Sequence, residues 1–327
     1  MKLVFRQLLM SAFAISIVFF CSCAPKSDKT VIRVGHFPNI SHAQALVAHQ
    51  LSRQGKGWFE SRLGDKIELK WSLFNAGPSA MESLLSGAVD ITYVGPSPAI
   101  NAYARTKGDD IRIVAGSADG GASLVVNPKS NIKKPSDFKG KRIGTPQLGN
   151  TQDVACRAWL VANGINITLT GGEAFVIATA NPEQLQLFRR GALDAVWTVE
   201  PWVTRLVDEA GGKIYLEQKD TVTTVLATNV STMKNRADVL EKFVKAHKEL
   251  TEWINKNPEQ AQKLVHAELQ ALTGGKIPFD LVKKSWGRMI FTSDVNKKSL
   301  QDFVESAFKC KLLKTNVDIT NLFSDKQ

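Results

Sequence analysis

The sequence predicts an α/β protein of two similar lobes with a ligand cleft between them. Strand and helix signals alternate along the chain, which is typical of an α/β fold with a mostly parallel sheet. One helix–turn–strand unit is predicted to occur twice. The evidence is that residues 85–90 and 189–194 share Gly, Ala and Asp in register. Ligands bind at the carboxyl ends of such strands, so two facing lobes would form a cleft.

Length and composition agree with this fold class. A chain of 327 residues suggests two domains. With 43% hydrophobic and 22% charged residues the composition is that of a globular protein, which excludes a disordered or collagen-like chain. The net charge is +11, but the basic residues are scattered, whereas a nucleic-acid binder concentrates them in a stripe. We therefore predict no nucleic-acid partner.

The elements follow one another with clear start and stop signals. Proline or a small polar residue opens each helix, and glycine ends most of them. The last third is helical and is expected to close back on the first lobe. The predicted elements are a strand at 31–35, a helix at 80–86 opened by residues 77–79, a strand at 89–94, a helix at 182–190, a strand at 193–199, and helices at 240–254, 258–273 and 300–311.

The N-terminus predicts export and a lipid anchor. Lys2 and Arg6 precede an apolar run that is shorter than the ~20 residues of a membrane-spanning helix. Cys23 follows a small residue and precedes a polar stretch, which is typical of a lipoprotein signal over 1–22, with a tether over 23–30. We expect a protein anchored outside the cytoplasm, in the periplasm or on the outer face of the cytoplasmic membrane. A secretory signal without a lipid is the alternative.

Catalytic and metal-binding signatures are absent from the sequence. There is no G-x-S-x-G, H-E-x-x-H or Walker motif. His36, His42 and His49 are spaced by six and seven residues, so they do not share a helix face as metal ligands would. Cys156 and Cys310 are expected to be free thiols rather than a disulfide. We predict no metal, no cofactor and no enzymatic activity.

Small polar residues at three helix openings predict an anion site. These openings are residues 77–79, 95–98 and 149–152. A helix N-terminus offers free N–H groups and a partial positive charge to an anion, worth up to ~2 kcal/mol. Micromolar binding needs about 8 kcal/mol, so only two or three converging openings, with their hydroxyls, would suffice. Ordinary helix capping is the alternative for each of them.

Six segments of the sequence are similar to motifs of a known family and occur in the same order as in that family. They are residues 77–79, 93–99, 137–144, 197–202, 251–255 and 257–261. With them the chain resembles the solute-binding proteins of bacterial ABC importers for aliphatic sulfonates, taurine and nitrate. The likeness covers essentially the whole mature chain, and the sulfonate branch fits best.

The resemblance implies a two-lobed periplasmic binding protein fold, type II-like, that closes on its ligand. Lobe 1 would comprise 31–119 and 228–327, and lobe 2 would comprise 120–227. The protein would be a monomer that captures a small organic anion, foremost an aliphatic sulfonate, and delivers it to an ABC permease and its ATPase. Alternative ligands are nitrate, a sulfate ester, a phosphonate, or a vitamin or pyrimidine precursor. Alternatives of another class are a desulfinase-like enzyme, although residues 36–42 lack the cysteine it would need, and a ligand-sensing receptor.

The resemblance also implies a set of ligand-binding residues. Ser79, Ser97 and Thr151 would hold the anionic head, while His36, His42 and Trp202 would shape the pocket for the organic tail. Glu200 would orient a neighbour or meet an amine. The full implied set is His36, Asn39, His42, Ser79, Ser97, Asn150, Thr151, Gln152, Glu200 and Trp202.

Overall fold

The structure is a computed structural model that describes residues 29–323. The predicted signal over 1–22, Cys23 and most of the tether lie outside these residues. No helix within 29–323 is both long and apolar enough to cross a membrane. The two cysteines of this range, Cys156 and Cys310, are free thiols, as predicted, although Cys310 is only partly buried.

Eleven strands lie within the described residues and form two sheets. In chain order they are β1 (Thr30–His36), β2 (Ile67–Leu73), β3 (Ile91–Val94), β4 (Ile111–Gly120), β5 (Ala122–Val126), β6 (Arg142–Thr145), β7 (Phe175–Ala178), β8 (Ala195–Val199), β9 (Lys213–Gln218), β10 (Val222–Asn229) and β11 (Met289–Phe291). The first sheet has the spatial order β11-β4-β10-β3-β1-β2 and the second has the order β7-β6-β8-β5-β9. Each sheet is the centre of one lobe.

Twelve helices of the described chain surround these sheets. They are α1 (Ala43–Arg53), α2 (Trp58–Leu63), α3 (Gly77–Leu85), α4 (Pro96–Arg105), α5 (Thr151–Ala162), α6 (Asn181–Arg189), α7 (Trp202–Ala210), α8 (Val230–Asn235), α9 (Ala237–Lys256), α10 (Pro258–Thr273), α11 (Phe279–Trp286) and α12 (Lys297–Lys309). Every strand and helix predicted from the sequence is present, with ends that differ by a few residues.

The predicted mostly parallel sheet is wrong, because both sheets are mixed. The chain passes between the lobes twice in extended form, from β4 into β5 and from β9 into β10. Two parallel strands that follow each other in the chain must be joined by a crossover connection, usually a helix. Strands β5 and β10 enter their sheets directly from the other lobe, without such a connection, and they run antiparallel to their neighbours. Accordingly β5 is antiparallel to β8 and β9, and β10 is antiparallel to β3 and β4. Strand β10 therefore belongs to the first sheet, whereas the expected boundary at 227 placed most of it in lobe 2.

The first passage between the lobes requires glycine. Gly120 and Gly121 have φ values of +75° and +70°, which side chains other than glycine rarely adopt. A Cβ on Gly121 would collide with Met289 Sδ, and one on Gly120 would lie 2.8 Å from the carbonyl oxygen of Arg288. The segment before β11 therefore packs directly on this backbone.

The sequence repeat is a structural repeat. Asp90 and Asp194 each follow the repeated helix, and each accepts a hydrogen bond from the backbone N–H of an arginine on the adjacent strand. The bonds are Arg33 N to Asp90 Oδ2 at 2.8 Å and Arg142 N to Asp194 Oδ2 at 2.9 Å. The prediction of two similar lobes from three shared residues is therefore confirmed.

The repeat extends to the strand that enters each lobe. Asn229 at the end of β10 donates to Leu84 O at 3.0 Å, and Asn127 after β5 donates to Phe188 O at 2.7 Å. Each accepting carbonyl lies near the end of the repeated helix, α3 or α6. The two lobes therefore attach the entering strand to the same helix in the same way.

The C-terminal helices close on the first lobe, as predicted. Phe243 of α9 stacks on Phe59 of α2 with ring centroids 4.0 Å apart. Glu268 of α10 accepts a hydrogen bond from Arg53 of α1 at 2.9 Å. The first lobe therefore consists of chain segments from both ends of the described range.

Three buried histidines are held neutral by the core. His247 accepts a hydrogen bond from Tyr93 and donates one to Gly116 O at 2.8 Å, so it is the packed histidine that its apolar helix face predicts. Burial lowers the pKa of His247 to about 4 and that of His36 to about 3. Burial also lowers the pKa of His42 well below its usual value. Protonation of these rings is therefore linked to unfolding.

We predict that His247→Gln flattens the acid side of the stability profile. The unfolded chain protonates His247 below about pH 6.5, whereas the folded chain does so only near pH 4, so the stability present above pH 6.5 is lost as the pH falls. Glutamine keeps one donor and one acceptor but does not titrate. The slope of unfolding free energy against pH between these values should decrease by about 1.4 kcal/mol per pH unit.

Urea denaturation at a series of pH values measures this slope for both proteins. Asp119, whose pKa is raised to about 6 by burial and by Asp220, has the opposite effect but is common to both proteins. Equal slopes for the wild type and the variant would contradict the prediction.

Candidate anion site between the lobes

A small cavity lies where the two lobes meet. Its free volume of about 30 Å³ holds about two water molecules, the space of one small oxyanion head group. Residues from both sheets' connecting loops line it. They include Phe37, Asn39, His42, Asn75, Gly77, Gly95, Asn150, Thr151, Gln152, Asn181 and Thr223.

Four helix N-termini reach this cavity, those of α3, α4, α5 and α6. The residues that precede α3, α4 and α6 provide no side-chain hydrogen bond to the helix, so their first N–H groups have no cap. A Cβ on Gly95 would collide with the Thr151 hydroxyl, and a Cβ on Gly77 would collide with Pro98. Glycine at these two positions therefore allows the N-termini of α3, α4 and α5 to lie in contact, with their partial positive charges directed at one place.

Two hydroxyl groups at these N-termini have no partner. Ser97 Oγ in the first turn of α4 and Thr151 Oγ1 at the start of α5 are both buried, and neither forms a hydrogen bond within the described chain. Buried polar atoms are satisfied in the great majority of cases, so each exception needs an explanation. These two hydroxyls therefore lie at neighbouring helix N-termini with their hydrogen-bonding capacity unused.

The oxygen of the Asn150 carboxamide, at the start of α5, is occupied within the helix. Asn150 Oδ1 accepts the N–H of Asp153 at 2.8 Å, so its Nδ2 is the donor to Gln152 Oε1 at 3.3 Å. Gln152 therefore keeps its NH2 group free as a donor.

Two other carboxamides have the same arrangement. Asn39 Oδ1 accepts the indole N–H of Trp202 at 3.3 Å, and Asn181 Oδ1 accepts the hydroxyl of Thr198 at 2.9 Å. Their oxygens are therefore occupied within the protein, and their NH2 groups remain as donors. The side chains of the cavity consequently favour an acceptor-rich ligand.

His42 is a further neutral donor. Its Nδ1 accepts the backbone N–H of Phe37 at 3.4 Å, which places the ring proton on Nε2. The ring stacks on Phe37, with centroids 4.4 Å apart. Because burial lowers the pKa of His42 well below its usual value, the ring is uncharged at neutral pH. None of the described residues that line the cavity is Asp, Glu, Lys or Arg.

The structure brings five of the ten sequence-predicted residues into the cavity lining. Asn39, His42, Asn150, Thr151 and Gln152 line the cavity, and Ser97 lies between lining residues on α4. Ser79 is exposed, and its hydroxyl donates to Ala76 O at 2.9 Å within its own turn. Helix α3 therefore contributes Gly77 rather than Ser79.

His36 and Trp202 also lie outside the cavity. His36 Nε2 bonds to His49 Nδ1 at 3.0 Å, and the ring packs edge-on against Trp71, inside the first lobe. Trp202 lines a neighbouring groove. Within residues 29–323, no cluster of His, Cys, Asp and Glu is suited to a metal ion.

Glu200 joins the lobes instead of facing a ligand. Its buried carboxylate accepts hydrogen bonds from Thr204 of its own lobe and from Ser285 and Arg288 of the other, the last two at 2.9 and 2.8 Å. Burial raises the pKa of the Glu200 carboxyl, which the Arg288 guanidinium opposes. Glu200 is therefore not among the residues that line the cavity.

Asn75 and Asn181 are cavity residues that the sequence reasoning missed. Asn75 stands just before α3 and carries no distinctive signal. Asn181 could have been found, because in the repeat the pair Asn181-Pro182 occupies the position of Gly77-Pro78. The opening of α6 is therefore the counterpart of the opening of α3, on the other side of the cavity.

The sequence of this chain is similar to those of known solute-binding proteins. The chain is 25% identical over 300 residues to a putative aliphatic sulfonates-binding protein of Bacillus subtilis, covering 89% of this chain and 85% of that protein. It is 26% identical over 262 residues to the taurine-binding periplasmic protein of Escherichia coli, covering 72% and 77%.

A solved structure confirms the predicted periplasmic binding protein fold. The alkanesulfonate-binding protein SsuA of Xanthomonas axonopodis pv. citri, bound to MOPS, superimposes with a TM-score of 0.75 at 17% identity, over 90% of this chain and 98% of that one. These relatives are solute-binding proteins and not enzymes, as predicted. The NMT1-like family matches residues 25–269, about three quarters of the chain. The chain belongs to the NMT1-like family.

Proposed function

We propose that this protein is the solute-binding component of an ABC importer and that it captures a small organic anion, foremost an aliphatic sulfonate, in the cavity between its lobes. The observation that carries the proposal is the neutral, donor-rich cavity at four helix N-termini. The two unpartnered hydroxyls, Ser97 and Thr151, would complete the shell around the anionic head. The sulfonate- and taurine-binding relatives support this ligand class.

The lack of a lining cation favours a monoanion over a dianion. A sulfonate carries one negative charge and no titrating proton at neutral pH. Phosphate groups carry a charge of about −1.5 to −2 at pH 7, because their second pKa is about 6. Helix N-termini and neutral donors match one buried charge, whereas a second one calls for a cation that the described lining does not contain. Sulfonates, sulfate esters and nitrate therefore fit better than phosphonates.

Delivery and anchoring belong to the same proposal. After capture, the protein would hand the anion to an ABC permease and its ATPase, as a monomer tethered through a lipid on Cys23. The signal-like N-terminus and the periplasmic relative support a location outside the cytoplasm. An acyl label that is incorporated into the wild type but not into Cys23→Ala tests the anchor.

Catalysis by a cleft cysteine is not supported. Cys156 is buried in α5, and burial raises the pKa of its thiol, so it is not an activated nucleophile. No cysteine is among the described residues that line the cavity.

A thermal-shift screen of the chain without residues 1–23 tests the proposed function. The panel contains alkanesulfonates, taurine, sulfate esters, nitrate and phosphonates. A ligand at about 100 times its dissociation constant adds about 2.7 kcal/mol of stability. We expect shifts with sulfonates. Shifts with phosphonates alone, or with no anion at all, would contradict the proposal.

We predict that Thr151→Val weakens sulfonate binding with little change in stability. Valine keeps the shape of threonine but removes the unpartnered hydroxyl. A hydrogen bond to a charged group is worth about 1.5–3 kcal/mol, so the dissociation constant should rise by about 10- to 150-fold in calorimetry. Thr224→Val is the matched control, because Thr224 is also buried with an unpartnered hydroxyl but does not line the cavity. Equal affinities of Thr151→Val and the control would remove Thr151 from the site.

We also predict that sulfonate affinity does not change between about pH 6 and 8. His42 is the one titratable side chain among the described cavity residues, and its lowered pKa keeps it neutral in this range. Calorimetry at a series of pH values measures the affinity. Tenfold tighter binding per unit of acidification would mean that a charged His42 binds the anion, contrary to the neutral-donor site.

A further inference from the structure

A polar cavity lies at the end of the first lobe where the described chain begins. Its volume is about 430 Å³, and it shares no lining residue with the anion cavity between the lobes. Arg236, which lines it, donates from Nη1 to Val31 O at 2.8 Å, one residue after the start of β1. The cavity is therefore a separate space, beside the point where the N-terminal segment enters the fold.

Two guanidinium groups in this cavity share one carboxylate. Arg33 Nη1 lies 3.4 Å from Asp90 Oδ2, and Arg236 Nη1 lies 3.1 Å from Asp90 Oδ1. Within the described chain both guanidiniums form their polar contacts through Nη1, so Nε and Nη2 of each remain as donors. This part of the cavity therefore has one positive charge in excess and the planar donor groups that suit a phosphate.

The structural repeat shows that one guanidinium is enough for the fold. In the second lobe Asp194 pairs with Arg142 at 3.3 Å and, among the described residues, with no other cation. Arg142 Nη2 also donates to Gly191 O at 2.9 Å. The excess charge of the first lobe is therefore due to Arg236, which has no counterpart in the second lobe.

A second carboxylate lines the same cavity. Asp110 is exposed there and forms no ion pair with another described residue. The Ser231 hydroxyl accepts a hydrogen bond from Asn235 Nδ2 at 3.2 Å, so its own hydrogen is available to a ligand. The charges of the lining sum to zero, but the cationic pair and Asp110 are separate groups. Such a lining complements a ligand with one anionic and one cationic group.

The proposed anchor would keep this end of the lobe near a membrane. Thr30 lies seven residues after Cys23, and an extended chain spans at most about 3.6 Å per residue, or about 25 Å in all. A lipid on Cys23 would therefore hold the cavity within about this distance of the phospholipid headgroups. Because a tether raises the effective concentration for a second contact, even a weak headgroup contact would be occupied.

We infer that this cavity binds the headgroup of an ethanolamine phospholipid, which carries a phosphodiester anion and a primary ammonium. The phosphodiester would contact Arg33 and Arg236, and the ammonium would contact Asp110. A choline headgroup has the same net charge but no N–H group to donate to Asp110. The inference goes beyond the proposed function and rests only on its anchor at Cys23. Headgroup binding would set the orientation of the first lobe on the membrane.

Co-sedimentation with phospholipid vesicles tests the inference on the chain without residues 1–23. The vesicles contain phosphatidylcholine alone or an equal mixture with phosphatidylethanolamine, so neither kind has a net charge. We expect about tenfold stronger partitioning onto the ethanolamine vesicles, the factor that one hydrogen bond between charged groups provides. Equal partitioning would overturn the inference. Binding of soluble glycerophosphoethanolamine without binding to either kind of vesicle would overturn the membrane as the source of the headgroup.

Asp110→Asn locates the ammonium group. Asparagine has no charge to pair with it, so the variant should lose the preference for ethanolamine over choline vesicles. Asp109→Asn is the matched control, because Asp109 is also exposed but does not line the cavity. The same preference in both variants would overturn the assignment of Asp110.

Arg33→Gln locates the phosphodiester. The variant keeps the backbone hydrogen bond to Asp90, so it should fold normally and bind ethanolamine vesicles about tenfold more weakly. Arg142→Gln is the matched control, since it removes the same charge from a side chain 46% exposed, against 41% for Arg33. Equal losses would mean attraction by net charge and would overturn the site.

The proposed function is tested separately by sulfonate binding. Arg33→Gln should leave sulfonate affinity unchanged, because Arg33 does not line the anion cavity. Sulfonate binding without a preference for ethanolamine vesicles would overturn the headgroup site alone. An ethanolamine preference without binding of any sulfonate would overturn the proposed ligand and support the headgroup site.

Discussion

The arrangement of the two lobes depends on the contacts of Glu200. Its backbone N–H donates to Gly121 O at the first passage between the lobes, and its carbonyl accepts the N–H of Ile40 at 3.1 Å. Its carboxylate binds Ser285 and Arg288 of the first lobe. Loss of one partner of a buried ion pair costs about 3–5 kcal/mol. Glu200 thereby holds the loop that carries Asn39 and His42 against the second lobe, where residues of both lobes line the cavity.

The order of helices and strands could be predicted from the sequence, because the signals that define them are local. The residues that open helices, the glycines that end them and the repeat are all short-range signals. For example, the φ values of Gly87 and Gly191 are +73° and +71°, the left-handed conformation that favours glycine at a helix end. The mixed sheets were missed because strand direction depends on which lobe a strand enters, as β10 shows. That choice involves partners far away in sequence.

The site was predictable only in part, for the same physical reason. The α/β pattern predicts that the helix openings converge, but it does not predict which face of a helix a side chain occupies. Ser79 lies on a face of α3 outside the cavity, where its hydroxyl donates to Ala76 O. The role of Glu200 required Ser285 and Arg288, more than eighty residues away. Neither the orientation of the Asn39 carboxamide nor the neutral state of His42 follows from residue type, because both depend on partners and burial.

The cavity and its helices explain why ligand binding and lobe closure would be one event. Helices α3 and α4 belong to the first lobe and α5 and α6 to the second, so the closed arrangement brings four partial positive charges together. Like partial charges repel, and the buried hydroxyls of Ser97 and Thr151 add the cost of unmade hydrogen bonds. Under the proposed function an anion would remove both costs, but it would contact all four helices only with the lobes closed on it. A ligand shifts an equilibrium by its differential affinity for the two states, so under the proposed function the negative charge itself would favour closure.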